Sequence, residues 1–123
     1  MFYQLPPVGN PVHICSEEHP ETSLQSVFAP YQAEYFASGT AALASAISAA
    51  IRSKAVDSPE VILPAYGCPD LVSAAIFSGA KPVLVDLEPD RPWMDLEQLL
   101  ASTSSRTVAI IAANLFGLSE RIA

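Results

Sequence analysis

Positively charged residues are scarce in this 123-residue chain. It has six Lys and Arg residues against 13 Asp and Glu residues, a formal net charge of −7, and no basic side chain before Arg52. Proteins that bind nucleic acids or anionic membrane surfaces need a basic patch, so this balance argues against both partners. A secretory signal also starts with a positively charged region, which is missing here.

Long apolar runs and cysteine pairs are missing as well. Serines interrupt residues 41–51, the stretch closest to the ~20 apolar residues of a spanning helix. Cys15 and Cys68 form no C-x-x-C motif, and reduced thiols together with the absent signal predict a cytoplasmic protein. His13 and His19 flank Cys15, but their spacing matches no common zinc pattern and a fourth ligand is not evident. We therefore predict no metal site.

Half of the residues are apolar, which is enough to form the core of one domain but not of two at this length. Residues 1–33 contain five prolines and no sustained hydrophobic period, so we predict an extended leader there. From Glu34 onward the sequence pattern changes, and regular secondary-structure elements begin. We therefore assign residues 34–123 to a single α/β domain.

Short apolar runs alternate with helical patterns through this domain. Leu43, Ile47 and Ile51 lie four residues apart and predict one buried stripe of the first helix. Strands and helices repeating every ~20–25 residues indicate a parallel sheet with helices on both faces. The predicted strands are Glu34–Ala37, 58–66, 81–87 and 106–117, and the predicted helices are 40–54, 69–79 and 95–102.

The second and third helices have recognisable end signals. Pro69 suits a first turn, Gly79 suits the position after a helix end, and Asp95 with Gln98 forms a capping-box pattern. The buried stripe of the second helix should contain Leu71, Val72, Ala75 and Ile76. No G-x-G-x-x-G follows any predicted strand, which argues against a generic dinucleotide binder.

The most informative stretch is "ASGTAAL", in which a predicted strand leads into a helix. Unpaired N–H groups and the helix dipole favour an anion at such a terminus. Gly39 permits close approach of a phosphate, and the hydroxyls of Ser38 and Thr40 could add donors. A hydroxyl residue before a helix can also be an N-cap and nothing more, and the motif alone leaves both interpretations open.

Several motifs in a fixed order resemble the DegT-type (StrS-like) sugar aminotransferases, which are fold type I pyridoxal-phosphate enzymes. "SGTAAL" is followed by "EVILPAY", by "GAKPVLVD", by "MD" before the third helix, and by "TVAIIAANLFG". The resemblance extends from about Glu34 to the end of the sequence. It implies the N-terminal part of the three-layer α/β/α large domain of these enzymes, with a mainly parallel, incomplete sheet.

The resemblance also implies which residues contact pyridoxal 5′-phosphate. Ser38, Gly39 and Thr40 fall on the family's phosphate-binding turn. Cys68 takes the place of an aromatic residue that stacks on the cofactor ring; its sulfur could pack there, or it could be a small core residue. Asn114 replaces the usual histidine of the HLYG-like stretch, where it could contact the cofactor or cap a turn.

The family's catalytic lysine and the aspartate that pairs with the pyridinium nitrogen lie further downstream than this sequence extends. Lys54 and Lys81 do not match the lysine position, so we expect a fragment, inactive alone and without catalytic residues of its own. The resemblance implies a homodimeric parent enzyme that transfers an amino group, from glutamate, to a nucleotide-linked keto-sugar. The alternatives are a pyridoxal-phosphate sugar dehydratase of the same family and a non-catalytic α/β remnant or binding module.

The family's sheet order also makes a prediction about this chain. It resembles 3-2-4-5-6-7-1, so the second, third and fourth strands should pair with one another. The strand at Glu34–Ala37 would lack its neighbour, and the strand at Thr107–Ala113 would have an open apolar edge. We therefore expect the isolated chain to be oligomeric, poorly soluble, or ordered only as part of a larger assembly.

Overall fold

The computed structural model describes residues 28–120 of the chain. The chain divides into two units, Met1–Glu34 and Tyr35–Ala123. In the first, the described residues include a turn in which the Tyr31 N–H donates to the Phe28 carbonyl at 2.8 Å. The leader assigned to residues 1–33 stays a prediction, and His13, Cys15 and His19 lie outside the described residues.

In the second unit, three parallel strands form one sheet in the order β2-β1-β3, with helices between them. This order confirms the pairing that the family's sheet implies for its second, third and fourth strands. It also confirms the α/β class with a parallel sheet. The elements are α1 (Gly39–Lys54), β1 (Glu60–Pro64), α2 (Pro69–Phe77), β2 (Lys81–Val85), α3 (Leu96–Ser102), β3 (Thr107–Ile110) and a single 3₁₀ turn (Leu115–Gly117).

The central strand β1 is buried along its whole length and separates two apolar layers. Successive side chains of a strand point to opposite faces. Val61 and Leu63 accordingly belong to the larger cluster with Ile47 of α1 and with α2, and Ile62 belongs to a smaller cluster below Leu99 of α3. Helices thus cover both faces, which confirms the three-layer arrangement.

Local sequence signals fix the ends of the helices as predicted. Pro69 is the first residue of α2, where its missing N–H costs no hydrogen bond. Gly79 follows α2 with a φ of +81°, a left-handed conformation that glycine adopts without strain. The Asp95 carboxylate accepts a hydrogen bond from the Gln98 N–H at 2.9 Å and caps α3.

Two expectations about these elements are wrong. Glu34–Ala37 is not a strand, because no strand among the described residues pairs with it and extended backbone without a partner forms no ladder. Ile76 is 61% exposed rather than buried. At about 100° per helical residue, Leu71, Val72 and Ala75 lie within one arc that faces the core, and Ile76 falls beyond its border.

Candidate functional site

The amino-terminal ends of α1 and α2 meet at the carboxyl edge of the sheet. The Thr40 hydroxyl, in the first turn of α1, donates a 3.0 Å hydrogen bond to the carboxylate of Asp70, in the first turn of α2. Because α2 follows β1 directly, this bond places the Ser38–Thr40 turn beside the end of β1. Cys68, two residues before Asp70, shares this corner of the molecule.

Ser38 is the N-cap of α1. Its hydroxyl oxygen accepts a hydrogen bond from the Ala41 N–H at 3.1 Å, and its carbonyl accepts one from the Ala42 N–H at 3.1 Å. Capping therefore uses one of the two lone pairs of the Ser38 hydroxyl, while the hydroxyl proton remains available for donation. The N-cap interpretation is confirmed, and a role in phosphate binding stays compatible with it.

Gly39 and Thr40 provide the free donors of this turn. Neither N–H has a hydrogen-bond acceptor within residues 28–120, as expected for the first positions of a helix. A Cβ atom added to Gly39 would meet no other atom within 4 Å. Both N–H groups are therefore available to a bound anion within the described part of the chain.

Cys68 lies at the N-cap position of α2 with an exposed thiol. Its side chain makes no capping hydrogen bond. Being exposed, Cys68 is not the small core residue that was one alternative for this position. Contact with a cofactor ring stays a prediction, and an exposed sulfur two residues before Asp70 is compatible with it.

Asn114 lies four residues beyond the end of β3 and is exposed. Its side-chain oxygen accepts a hydrogen bond from the Glu120 N–H at 3.0 Å. This contact matches the turn-capping alternative. The side-chain amide still has its N–H donors, so a contact with a cofactor stays a prediction.

Two open hollows of about 400 and 410 Å³ lie beside this edge of the sheet. Tyr66, which follows β1, lines both of them, and Asp86, which follows β2, lines the first. None of the five predicted site residues lines either hollow. Sequence reasoning missed Tyr66 and Asp70, although an aromatic residue just after a buried strand and an acidic residue in a first helical turn were visible signals.

The opposite, amino edge of the sheet contains a different cluster, centred on Glu60. This side chain is 6% exposed; it accepts hydrogen bonds from the Ser104 hydroxyl at 2.8 Å and from the Arg106 guanidinium at 2.7 Å. These two bonds hold the pKa of the Glu60 carboxyl below its ordinary value, although burial alone would raise it. Lys81 adds a longer ion pair at 3.8 Å.

Both lysines of the chain lie at this amino edge. Lys81 pairs with Glu60, and the Lys54 ammonium donates to the Thr107 carbonyl at 2.6 Å, where β3 begins. The Ser38–Thr40 turn lies at the other end of α1. A lysine that holds a cofactor must lie within reach of it, and the placement of both side chains agrees with the absence of a match to the family's lysine.

Residues 28–120 contain no candidate metal centre and no candidate membrane span. No group of three His, Cys, Asp or Glu residues in that part could hold a metal ion. None of its helices is long and apolar enough to cross a bilayer.

A model of the DegT/DnrJ/EryC1/StrS aminotransferase family matches residues 20–123. No curated protein sequence matches the chain.

Solved structures with a similar fold include two forms of one bacterial protein. The Streptococcus pneumoniae protein Spr1654, described as a sugar aminotransferase, is 30% identical in its PLP form, with a TM-score of 0.53 over 62% of this chain and 20% of that one. Its PMP form is 31% identical, with a TM-score of 0.53 over 62% and 19%. An alanine aminotransferase from Pyrococcus furiosus is 25% identical, with a TM-score of 0.50 over 67% and 21%. The chain thus spans about a fifth of the length of these relatives.

Proposed function

Because the chain belongs to the DegT/DnrJ/EryC1/StrS aminotransferase family, we propose that it forms the phosphate-binding part of a pyridoxal-phosphate-dependent sugar aminotransferase. The substrate is a nucleotide-linked keto-sugar, and glutamate is the amino donor. The Streptococcus pneumoniae relative, described as a sugar aminotransferase in PLP and PMP forms, supports the chemical class. The intact enzyme is a cytoplasmic homodimer in this proposal.

The observation that most supports this function is the pair of free amides at the start of α1. Within residues 28–120 the Gly39 and Thr40 N–H groups have no acceptor, and they lie at the positive end of a 16-residue helix. Phosphate groups bind at such termini because backbone donors and the helix dipole act together. The donor set therefore fits the phosphate of the cofactor.

Each residue of the turn has a separate task in this proposal. The Gly39 and Thr40 amides and the Thr40 hydroxyl bind phosphate oxygens, and the Ser38 hydroxyl adds a donor while its oxygen still caps α1. Cys68 packs against the cofactor ring, and the amide of Asn114 binds at its rim. When bound, pyridoxal phosphate supplies an electron sink for negative charge that develops on the substrate.

A binding measurement on Thr40→Val tests this proposal. Pyridoxamine 5′-phosphate is a suitable probe because it binds without a lysine. Losing one hydrogen bond to a charged group should weaken its binding by about 1–2 kcal/mol, or roughly 5- to 30-fold, in a calorimetric titration.

Thr103→Val is the matched control. Its hydroxyl donates to the Leu99 carbonyl at the far end of α3, so the affinity should not change. Equal affinities for the wild-type chain and Thr40→Val would mean that Thr40 is part of the helix terminus and nothing more.

A further inference from the structure

Asp70 places a negative charge beside the turn that should receive a phosphate. Its carboxylate accepts the Thr40 hydroxyl at 3.0 Å, and both side chains are close to solvent. A hydroxyl has one proton, so Thr40 cannot donate to Asp70 and to a phosphate oxygen at the same time. A ligand that recruits this hydroxyl must first take it from Asp70.

Asp70 also has a local structural explanation. A carboxylate in the first turn of α2 is favourable beside the positive end of the helix dipole. Its bond to Thr40 ties α1 to α2. These effects would stabilise the chain, but they do not remove the repulsion that the same carboxylate exerts on an incoming dianion.

The nearby donors offer little compensation for that repulsion. The first turn of α1 contains no acidic residue, and both basic residues in its last turn, Arg52 and Lys54, lie at the opposite end of the helix. The Lys54 ammonium is engaged at the start of β3. Within the described residues, the donors that the Ser38–Thr40 turn offers to a phosphate are thus neutral. The charged group in contact with the turn is Asp70.

We propose that Asp70 lowers the affinity of the Ser38–Thr40 turn for a phosphate group by holding the Thr40 hydroxyl and by repelling the dianion. The inference rests on the proposed function, because it assigns a regulator to the same site. Asp70 is a positioning residue here, acting on the ligand through Thr40 and through its charge.

The test compares wild-type chain and Asp70→Asn in calorimetric titrations with pyridoxamine 5′-phosphate. Asparagine keeps the shape, removes the charge, and can donate to Thr40, which frees the hydroxyl proton for the ligand. We expect binding to tighten roughly three- to tenfold at low ionic strength. The gain should shrink at about 1 M salt, where the Debye length falls to ~3 Å.

Two further variants separate this effect from helix stability. Asp57→Asn removes an exposed carboxylate from the loop between α1 and β1 and should leave binding unchanged. In a Thr40→Val background, Asp70→Asn should give a smaller gain, because the charge effect alone remains. A melting temperature for each variant identifies any change that comes from unfolding.

The outcomes are distinct. Tighter, salt-dependent binding by Asp70→Asn supports the inference. Equal or weaker binding, with the wild-type chain still binding, overturns the role of Asp70 and leaves the proposed function intact. No binding by either protein overturns both.

Discussion

At the amino edge of the sheet the polar side chains bind one another, whereas at the carboxyl edge two backbone donors have no acceptor among the described residues. Glu60 is enclosed by Ser104, Arg106 and Lys81. The Gly39 and Thr40 N–H groups, by contrast, have no acceptor within residues 28–120. A closed polar cluster contributes to stability, and free donors at a helix terminus favour an external anion.

Helix α1 connects the two edges. Its first turn presents the free amides, and Lys54 in its last turn bonds to Thr107 at the start of β3. Between them, Ile47 is 1% exposed and packs in the larger apolar cluster. The position of the candidate site thus depends on core packing as much as on its own residues.

The largest effect should come from Ile47→Ala, which removes the packing that both edges share. Truncating a buried isoleucine should lower the free energy of unfolding by about 2–5 kcal/mol. Denaturant titration measures this. The matched control is Ile76→Ala on the exposed side of α2, which should cost under about 1 kcal/mol. Similar losses for the two variants would contradict the assigned core.

A smaller effect, confined to stability, should follow Glu60→Gln at the amino edge. A carboxyl whose pKa is lowered by folding stabilises the fold above its ordinary pKa of 4.5, and loses that contribution as the pH falls through the folded value. The variant should therefore melt at a lower temperature than wild type near neutral pH, and the difference should shrink below pH 4.5.

The exposed Asp57→Asn in the loop between α1 and β1 is the control for that series and should melt like the wild type. Pyridoxamine 5′-phosphate binding should be the same for Glu60→Gln and wild type in the folded protein. A loss of binding by Glu60→Gln would show that the two edges are not independent.

The smallest expected effect concerns the lysines. Incubation of the chain with pyridoxal phosphate, followed by borohydride reduction and peptide mapping, should give no site-specific labelling. Lys54 and Lys81 are engaged at the amino edge, away from the phosphate turn. Stoichiometric labelling of one of them would mean that the cofactor binds at the wrong edge for this account.

Sequence reasoning predicted the fold well where the pattern is local. Apolar strands and helix ends such as Pro69 and Gly79 follow from backbone sterics and burial, and they were found as expected. The family resemblance was confirmed by the match over residues 20–123. The strand predicted at Glu34–Ala37 was wrong because a strand requires a hydrogen-bonded partner, which its own residues do not supply.

The site was predictable only in part. The order of residues identified the Ser38–Thr40 turn, but the bond between Thr40 and Asp70 joins positions 30 residues apart. Such a contact depends on how α1 and α2 pack, and no local pattern encodes it. The bond of Asn114 to Glu120 likewise depends on the conformation of a turn.

The central claim, that a phosphate binds the first turn of α1, is tested most directly by amide-resolved NMR of the chain during a titration with pyridoxamine 5′-phosphate. The account predicts that the largest chemical-shift changes occur at the Gly39 and Thr40 N–H groups, and that they saturate. Unchanged Gly39 and Thr40 signals, with the shifts instead at Tyr66 and Asp86 around the open hollow, would contradict it.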